Sequence, residues 1–377
     1  MRPIQMVDLQ AQFAKIKTEV MQQIEGVLDS AAFINGAAVQ QFAQEMQTYL
    51  GVKHVIPCAN GTDALQIAMM ALGLEPGDEV ITPSFTYIAT TEVVALLRLK
   101  PVFVEVDKDT FCMNPESFRK AITPKTKAVV PVHLYGHAAA MEQILAIAKE
   151  HNLCVIEDNA QAIGGTYIFS DGTQAKTGTL GDIGCTSFFP SKNLGGYGDG
   201  GAMFTNDDAL AQKLKMIANH GQQKRYYHEL VGCNSRLDTL QAAILRIKLR
   251  DLDNYIAART AAADYYDAAF ANHPKITTPF RAAYSKHVFH QYTLTLHDVN
   301  RDALNAYLAE KAVPSMIYYP VPGHKQQMFA NQALGELDLP ITDWLTERVI
   351  SLPMHTELLP EQLEYITKTV LDFVNNN

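Results

Sequence analysis

Residues 141–162, MEQILAIAKEHNLCVIEDNAQA, join a helix pattern to a strand pattern. The first half repeats apolar side chains with the spacing of one helix face, at Met141, Ile144, Leu145 and Ala148. The second half is a short apolar run at 153–157 that leads into the acidic pair Glu157-Asp158. A helix that leads back into a buried strand is typical of a parallel sheet with helices on both faces.

The same alternation extends along the chain from residue 55 onward. Further short apolar runs predict strands at 79–82, 101–105, 127–132, 184–188 and 201–205. Another helix face is formed by Leu65, Ala68, Met69 and Leu72. Residues 5–50 are predicted to be helix and loop, with a second helix that ends before Gly51. We therefore predict an α/β fold with a large, mostly parallel sheet.

The C-terminal third has a different pattern. A long helical region is predicted from residue 236 to residue 271, without a Gly/Ser-rich linker. Strand character follows at Val288–Leu296, then a helix at Arg301–Lys311, a short strand near Ile317 and further helices. We therefore predict a large α/β domain over residues 1–250 and a smaller α+β domain over residues 251–377.

The composition excludes several classes of protein. The 377 residues carry a formal net charge of −9, so no basic face for nucleic acid is predicted. The five cysteines are scattered and form no CxxC pair, which predicts neither a disulfide framework nor a metal site. The N-terminus lacks the apolar core of a signal peptide, and no apolar run is long enough to cross a bilayer. We expect a cytoplasmic protein without a membrane partner.

Two segments place polar groups where a ligand is expected to bind. Cys58–Leu65 runs from a strand pattern into a helix pattern, so Gly61 and Thr62 fall at a helix N-terminus, which suits a phosphate. A simple N-cap is the alternative for this segment. Asp158 follows a buried strand, and its carboxylate can hold a protonated ring nitrogen at the carboxyl edge of the sheet. A helix N-cap or a surface turn is the alternative there.

A third segment, TSFFPSKNLGG at 186–196, places Lys192 between an aromatic-proline run and two glycines. Burial in such a setting favours the neutral amine, which is the form that attacks a carbonyl. An exposed loop lysine is the alternative. Taken together, a phosphate cradle, a strand-end carboxylate and a lysine are the parts that hold pyridoxal phosphate.

Motifs along nearly the whole chain carry a family resemblance. They are FING at 33–36, NGTDAL at 60–65, GDEVITP at 77–83, VHLYG at 132–136, EDNAQA at 157–162, SFFPSKN at 187–193, NSRLD at 234–238 and YYP at 318–320. They resemble the DegT/DnrJ/EryC1/StrS aminotransferases, fold-type I pyridoxal-phosphate enzymes that act on nucleotide-linked keto sugars. Dehydratases of this fold carry histidine at the lysine position, so Lys192 argues against dehydration.

The resemblance implies a cofactor-binding set of Gly61, Thr62, Tyr87, Asp158, Gln161, Ser187, Lys192 and Asn234. Lys192 would hold the cofactor as a Schiff base and move a proton, and Asp158 would pair with the pyridine nitrogen. Gln161 would contact the ring or its phenolic oxygen. Tyr87 would stack on the ring, with core packing as the alternative. Asn234 would reach the phosphate from the neighbouring subunit, which implies a homodimer with shared active sites.

The substrate class also follows from the resemblance. The segment 313–324 resembles the branch that aminates the C3 ketone of UDP-2-acetamido-2-deoxy-3-oxo-glucuronate, with glutamate as the expected amino donor, for cell-surface polysaccharide or lipopolysaccharide synthesis. Arg236 would bind the uronate carboxylate, or it would form a structural salt bridge with Asp238 or another acid. Tyr319 would also bind the substrate. His324 would contact the substrate or cap a turn.

Two alternative functions remain open at this stage. One is 4-amino transfer to a UDP- or dTDP-linked 4-keto-6-deoxy sugar. The other is a regulator that binds pyridoxal phosphate without catalysis, against which Lys192, Asp158 and Gln161 argue.

Overall fold

The computed structural model describes residues 2–332 and 337–377. The described residues form helices α1 Leu9–Ser30, α2 Ala37–Leu50, α3 Gly61–Ala71, α4 Ala89–Leu96, α5 Pro115–Ala121, α6 Met141–Glu150, α7 Asp208–Ile217, α8 Thr239–Leu249, α9 Leu252–Ala269, α10 Arg301–Glu310, α11 Pro340–Thr346 and α12 Pro360–Asn376. None of these helices combines the length and the hydrophobicity needed to cross a bilayer.

The same residues form strands β1 His54–Cys58, β2 Glu79–Pro83, β3 Lys100–Val104, β4 Thr126–Val129, β5 Cys154–Asp158, β6 Thr166–Ile168, β7 Gln174–Lys176, β8 Ile183–Ser187, β9 Gly201–Thr205, β10 Gln222–Lys224, β11 Tyr227–His228, β12 Ile276–Thr277, β13 Ser285–Lys286, β14 Tyr292–Leu296 and β15 Val349–Leu352. The strand predictions at 79–82, 101–105, 127–132, 153–157, 184–188 and 201–205 therefore agree with β2, β3, β4, β5, β8 and β9.

Seven strands form the central sheet in the order β1-β9-β8-β5-β4-β2-β3. Strands β3, β2, β4, β5 and β8 are mutually parallel, and β9 alone runs against both of its neighbours. The predicted mostly parallel sheet is therefore confirmed. Because β9 is reversed, its first residue Gly201 pairs with Cys58 and Ser187, the last residues of β1 and β8. Three chain segments thus meet at the carboxyl edge of the sheet.

Apolar helix faces cover both faces of this sheet. On one face, Phe118 of α5 and Ile144 of α6 pack in a cluster with strand residues. On the other, Leu65 of α3 and Leu214 of α7 do the same. Each such side chain contributes about 1.5–3 kcal/mol when it is fully buried. This packing holds the strands in fixed register and so fixes the position of the residues at their ends.

The C-terminal region has its own sheet, β12-β14-β15, and its own core with α10 and α12. Residues at the N-terminus also contact this region. Ile4 belongs to that core, and the Arg2 guanidinium donates to the Glu357 carbonyl at 2.6 Å. The division into residues 1–250 and residues 251–377 stays a prediction.

Two expectations for the C-terminal region were wrong in detail. The long helical region is two helices, α8 and α9, because Asp251 between them leaves the helical conformation with φ −110° and ψ 7°. The short strand near Ile317 is reduced to a single bridge between Met316 and Ser351. The prolines that flank this segment, Pro314 and Pro320, lack the N–H that a longer ladder requires.

Candidate active site

A cavity of about 800 Å³ opens at the carboxyl edge of the central sheet. Eight of the eleven residues predicted for the site line it, namely Gly61, Thr62, Tyr87, Asp158, Gln161, Ser187, Lys192 and Tyr319. They come from segments far apart in sequence, which the parallel strands bring to one edge. The three predicted residues outside the cavity wall are Asn234, Arg236 and His324.

The N-terminus of α3 forms one end of the cavity. The Asn60 side chain caps the helix by accepting from the Asp63 N–H at 2.8 Å, so the N-cap alternative describes Asn60 correctly. Gly61 and Thr62 are the first residues of the helix, so no preceding turn supplies a carbonyl acceptor for their N–H groups. A Cβ on Gly61 would lie 2.7 Å from the Ser187 Cβ, so only glycine allows the helix to approach β8 this closely. The helix end and the Ser187 hydroxyl together suit an anion.

Asp158 is a buried carboxylate on the cavity wall. Its Oδ2 accepts from the Thr90 hydroxyl at 2.8 Å, and its Oδ1 accepts from the Ala160 N–H at 3.1 Å. Burial raises the pKa of Asp158, while these two donors and the nearby Lys192 ammonium oppose that rise. Each carboxylate oxygen keeps a lone pair for a cationic ligand.

The neighbouring Glu157 has a different role. Its side chain is fully buried and accepts from the N–H groups of Gly178, Leu180 and Gly181 at 2.8, 2.6 and 2.6 Å. It also pairs with the His133 ring at 2.8 Å. With both oxygens occupied by the protein, Glu157 stabilises the loop before β8, and it does not line the cavity. Side chains alternate between the two faces of a strand, and this alternation separates the acidic pair.

Lys192 reaches the cavity from a tight loop after β8. Its N–H donates to the Phe189 carbonyl at 2.9 Å, and the Asn193 amide donates to the Val288 carbonyl at 2.8 Å. Burial lowers the pKa of Lys192 to about 8, against the opposing attraction of Asp158. The neutral amine, which is the form that attacks a carbonyl, is therefore more populated near neutral pH than in an ordinary lysine.

Gln161 joins the two sides of the cavity. Its Oε1 accepts from the Tyr135 N–H at 2.8 Å, and its Nε2 donates to the Tyr319 hydroxyl at 2.9 Å. One amide hydrogen of Nε2 remains for a ligand. The Tyr135 hydroxyl donates to the Tyr318 carbonyl. Two hydrogen bonds, one from Tyr135 and one from Gln161, therefore hold the Tyr318-Tyr319 segment. Tyr87, 56% exposed, lies beside Tyr319 at the opening, which rules out the core-packing alternative.

The family model of the DegT/DnrJ/EryC1/StrS aminotransferases matches residues 14–371. The chain belongs to this family. Its cofactor is pyridoxal phosphate, and the residues of the cavity fit that group. The free N–H groups of α3 suit the phosphate, the Asp158 carboxylate suits a protonated ring nitrogen, and the partly neutral Lys192 amine suits the aldehyde.

Three relatives of similar identity carry names of different kinds. The chain is 46% identical to the UDP-N-acetyl-3-dehydro-alpha-D-glucosamine 3-aminotransferase of Acidithiobacillus ferrooxidans, over 97% of each chain. It is 46% identical to the UDP-2-acetamido-2-deoxy-3-oxo-D-glucuronate aminotransferase of Pseudomonas aeruginosa, over 94% of this chain and 96% of that one. It is 44% identical to a pleiotropic regulatory protein of Geobacillus stearothermophilus, over 98% of each.

Two solved structures share the fold over nearly the whole chain. DesV of S. venezuelae, solved with a ketimine intermediate, has a TM-score of 0.94 at 38% identity and covers 99% of this chain and 98% of its own. Ntda of Bacillus subtilis, solved with bound cofactor PMP, has a TM-score of 0.88 at 31% identity and covers 96% of this chain and 82% of its own. The predicted fold-type I architecture is therefore confirmed.

The remaining predicted residues of this aminotransferase lie elsewhere. Asn234 is exposed and forms a bridge with Asn219, and Arg236 is half-buried two residues later. Within the part of the chain that the structure describes, Arg236 forms no ion pair with Asp238 or with another acid. Both residues precede α8, outside the cavity wall.

His324 is buried behind the site rather than in it. Its Nδ1 lies 2.7 Å from the Ser84 hydroxyl, and its N–H donates to the same hydroxyl at 3.1 Å. The Gly323 N–H donates to the Ser84 carbonyl at 2.8 Å. These contacts hold the turn after Tyr318-Tyr319 against the end of β2. The turn alternative therefore describes His324 in this chain.

Sequence reasoning missed one prominent residue of the cavity wall, His290. It is buried, and its Nδ1 has no hydrogen-bond partner within the described residues. Burial and the neighbouring Lys192 and Arg259 hold the pKa of His290 well below its usual range, so the ring is neutral. The polar pair His290-Gln291 at the start of a predicted strand was the available signal.

Proposed function

We propose that this aminotransferase moves an amino group onto the C3 ketone of a UDP-linked 2-acetamido-3-oxo sugar, with the glucuronate as substrate. The substrates named for the two 46% identical relatives share the UDP group, the C3 ketone and the N-acetyl group, and they differ in the oxidation of C6. The observation that carries the catalytic part is the presence of Lys192 and Asp158 in one cavity beneath a helix N-terminus.

Each cavity residue has a proposed role. Bound pyridoxal phosphate supplies an aldehyde that takes up the amino group and a ring that accepts electrons. Lys192 would hold the aldehyde carbon through Nζ, and once the amino donor displaces it, the free Nζ would take up and return the proton that moves between carbon atoms. Asp158 keeps the ring nitrogen protonated. Gly61, Thr62 and Ser187 bind the phosphate, Tyr87 stacks on the ring, and Gln161 orients it.

The active unit is proposed to be a homodimer. Asn234 and Arg236 lie outside the cavity of their own chain, and Arg236 has no acid partner among the described residues. Lys192 is the sole lysine or arginine among the described residues that line the cavity. The ligands proposed for this cavity, however, carry phosphates and carboxylates. A second subunit that brings Asn234 to the phosphate and Arg236 to the uronate carboxylate supplies both the missing donor and the missing charge.

The proposed amino donor is glutamate, and the proposed setting is the cytoplasm, where nucleotide sugars for cell-surface polysaccharide or lipopolysaccharide are made. The amino product is expected to remain attached to UDP. These proposals rest on the family resemblance of segment 313–324 and on the substrates named for the two 46% identical relatives.

The test is a panel of nucleotide keto sugars incubated with glutamate, followed by mass spectrometry of the amino products. The panel contains the UDP-linked 3-oxo-glucuronate, the UDP-linked 3-oxo-glucosamine and 4-keto-6-deoxy sugars linked to UDP or dTDP. Preferred conversion of the glucuronate supports the proposal. Preferred conversion of the 3-oxo-glucosamine overturns the uronate assignment alone, and preferred conversion of a 4-keto sugar overturns the C3 assignment.

The relative named as a regulatory protein makes a second test worthwhile. Mixing the holoenzyme with glutamate in a stopped-flow instrument shows whether the cofactor takes up the amino group. The expected result is loss of the absorbance of the lysine-bound cofactor and gain of that of the amine form. An unchanged spectrum would favour a protein that only binds the cofactor.

A further inference from the structure

The hydrogen bond between Thr90 and Asp158 is placed where it can control the cofactor. Thr90 lies in the first turn of α4 and is fully buried. Its hydroxyl donates to the Asp158 Oδ2 at 2.8 Å. It is the one side-chain donor to that carboxylate among the described residues, since the other contact comes from the Ala160 backbone. Thr90 does not line the cavity, so it acts on a ligand through the side chains that it contacts, and Asp158 is the charged one.

A second hydroxyl continues this contact towards the cavity. The Thr86 hydroxyl lies 3.4 Å from the Thr90 hydroxyl, and Thr86 lines the cavity wall. Either hydroxyl could be the donor in this pair. The Thr90 hydroxyl hydrogen, however, also has the Asp158 carboxylate within reach, and a bond to a charged acceptor is the stronger one. The expected direction of donation is therefore from Thr90 to Asp158.

The carboxylate needs this donor because burial works against its charge. An ionised Asp158 has to remain in place to hold a protonated ring nitrogen, and a buried carboxylate tends to take up a proton instead. A hydroxyl that donates to one oxygen stabilises the charged form and also fixes the plane of the carboxylate. The remaining oxygen then keeps its position for the ring.

We infer that Thr90 is a positioning residue that keeps Asp158 ionised and oriented for the ring nitrogen of the cofactor. The inference rests on the proposed role of Asp158. It assigns no contact between Thr90 and the cofactor or the sugar. The residue next to it offers a matched control, because Thr91 is equally buried in the same helix and its hydroxyl donates to the Ile88 carbonyl at 3.1 Å.

The experiment compares Thr90→Val, Thr90→Ser and Thr91→Val with the unmodified enzyme. The probe is pyridoxamine phosphate, which cannot bond covalently to Lys192. Its dissociation constant is measured on the cofactor-free enzyme from pH 4 to pH 9. We expect about tenfold weaker binding for Thr90→Val, because a hydrogen bond to a charged group is lost. Thr90→Ser keeps the hydroxyl and is expected to bind normally, as is Thr91→Val.

The pH dependence distinguishes this role from a general packing defect. Ionised Asp158 binds the ring cation, so affinity falls as the pH drops through the pKa of this carboxyl. Loss of the Thr90 donor raises that pKa, and the fall therefore starts at a higher pH in Thr90→Val. The other titratable groups around Asp158 are Glu157, His133, Cys185, Lys192 and Tyr319, and all are unchanged in these variants.

The outcomes separate the proposed role of Asp158 from the positioning role of Thr90. Asp158→Asn is measured in parallel, and normal binding by that variant overturns the proposed role of Asp158 itself. Weak binding by Asp158→Asn together with normal binding by Thr90→Val overturns the role of Thr90 alone. Equal losses in Thr90→Val and Thr91→Val also overturn it. If Thr90→Val does not fold, Thr90→Ala removes the same hydroxyl and is judged by the same criteria.

Discussion

The cavity at the carboxyl edge and the surface segment around Asn234 and Arg236 differ in how complete they are. In the cavity, Asp158 and Gln161 already have protein partners that fix their orientation. Arg236, by contrast, has no ion pair within residues 2–332 and 337–377, and Asn234 is exposed. The difference fits the proposed homodimer, in which one chain supplies most of the cofactor site and a second chain adds Asn234 at the phosphate and Arg236 at the substrate.

The charges of the two regions support the same conclusion. Among the described residues, the cavity wall holds the acidic side chains Asp63, Asp158 and Asp199 and the single cation Lys192. A nucleotide sugar is strongly anionic, so its binding there requires additional positive charge. The predictions below test this contrast between a cofactor site that one chain largely builds and a substrate site that needs further groups.

The largest effect is expected for Lys192→Ala. We expect turnover with glutamate and the keto sugar to fall by about three orders of magnitude or more, because the group that moves the proton is lost. The absorbance of the lysine-bound cofactor is expected to disappear as well. Rapid kinetics and absorbance spectra check both. Full activity in this variant would contradict the proposed function.

The same lysine also predicts a pH dependence. The neutral amine attacks the aldehyde, and the pKa of Lys192 lies at about 8. The rate at which the cofactor-free enzyme bonds covalently to added pyridoxal phosphate should therefore rise with pH and level off above about 8. A rate that is flat across that range would mean that deprotonation of Lys192 does not limit the reaction.

A smaller effect is expected for Arg236→Leu. We expect kcat/KM to fall about tenfold or more on the uronate substrate and to change little on the 3-oxo-glucosamine substrate, because a charge-assisted bond to the carboxylate is lost. Cofactor affinity should remain normal. An equal loss on both substrates would argue against recognition of the carboxylate.

Mixing this variant with Lys192→Ala tests whether the site is shared. Random reassociation makes about half of the dimers mixed. If Arg236 serves the cavity of the other chain, each mixed dimer has one site with both Lys192 and Arg236. About a quarter of full activity on the uronate should then return. If Arg236 serves the cavity of its own chain, mixed dimers have no intact site and no activity returns. The two variants unmixed provide the controls.

The smallest effect is expected for Ser84→Ala. This change removes the hydroxyl that holds the His324 turn behind Tyr318-Tyr319. We expect the free energy of unfolding to fall by about 1 kcal/mol and the KM for the sugar to rise severalfold, with unchanged cofactor affinity. Thermal unfolding and steady-state kinetics check these results. A change confined to cofactor affinity would contradict this role for the turn.

Local sequence was sufficient to predict most of the residues that line the cavity, and the reason is physical. Strand and helix periodicity set which segment ends at the carboxyl edge. Asp158 is the last residue of β5, and Lys192 lies in the loop that follows β8. The sequence also placed Gly61 at a helix N-terminus, while the close approach of this glycine to Ser187 was visible only in the structure. These features depend on residues near one another in the chain.

The tertiary structure alone decided the rest. Alternation along β5 puts Glu157 and Asp158 on opposite faces, but the tertiary structure decided that Glu157 meets the loop before β8 and that Asp158 meets the cavity. Long-range packing brought Thr90 to Asp158 and His290 to the cavity wall, and it placed His324 on Ser84. The sequence thus determined which groups are available for the chemistry. Only the fold determined which of them share a ligand, because contacts between distant segments are set by packing rather than by local pattern.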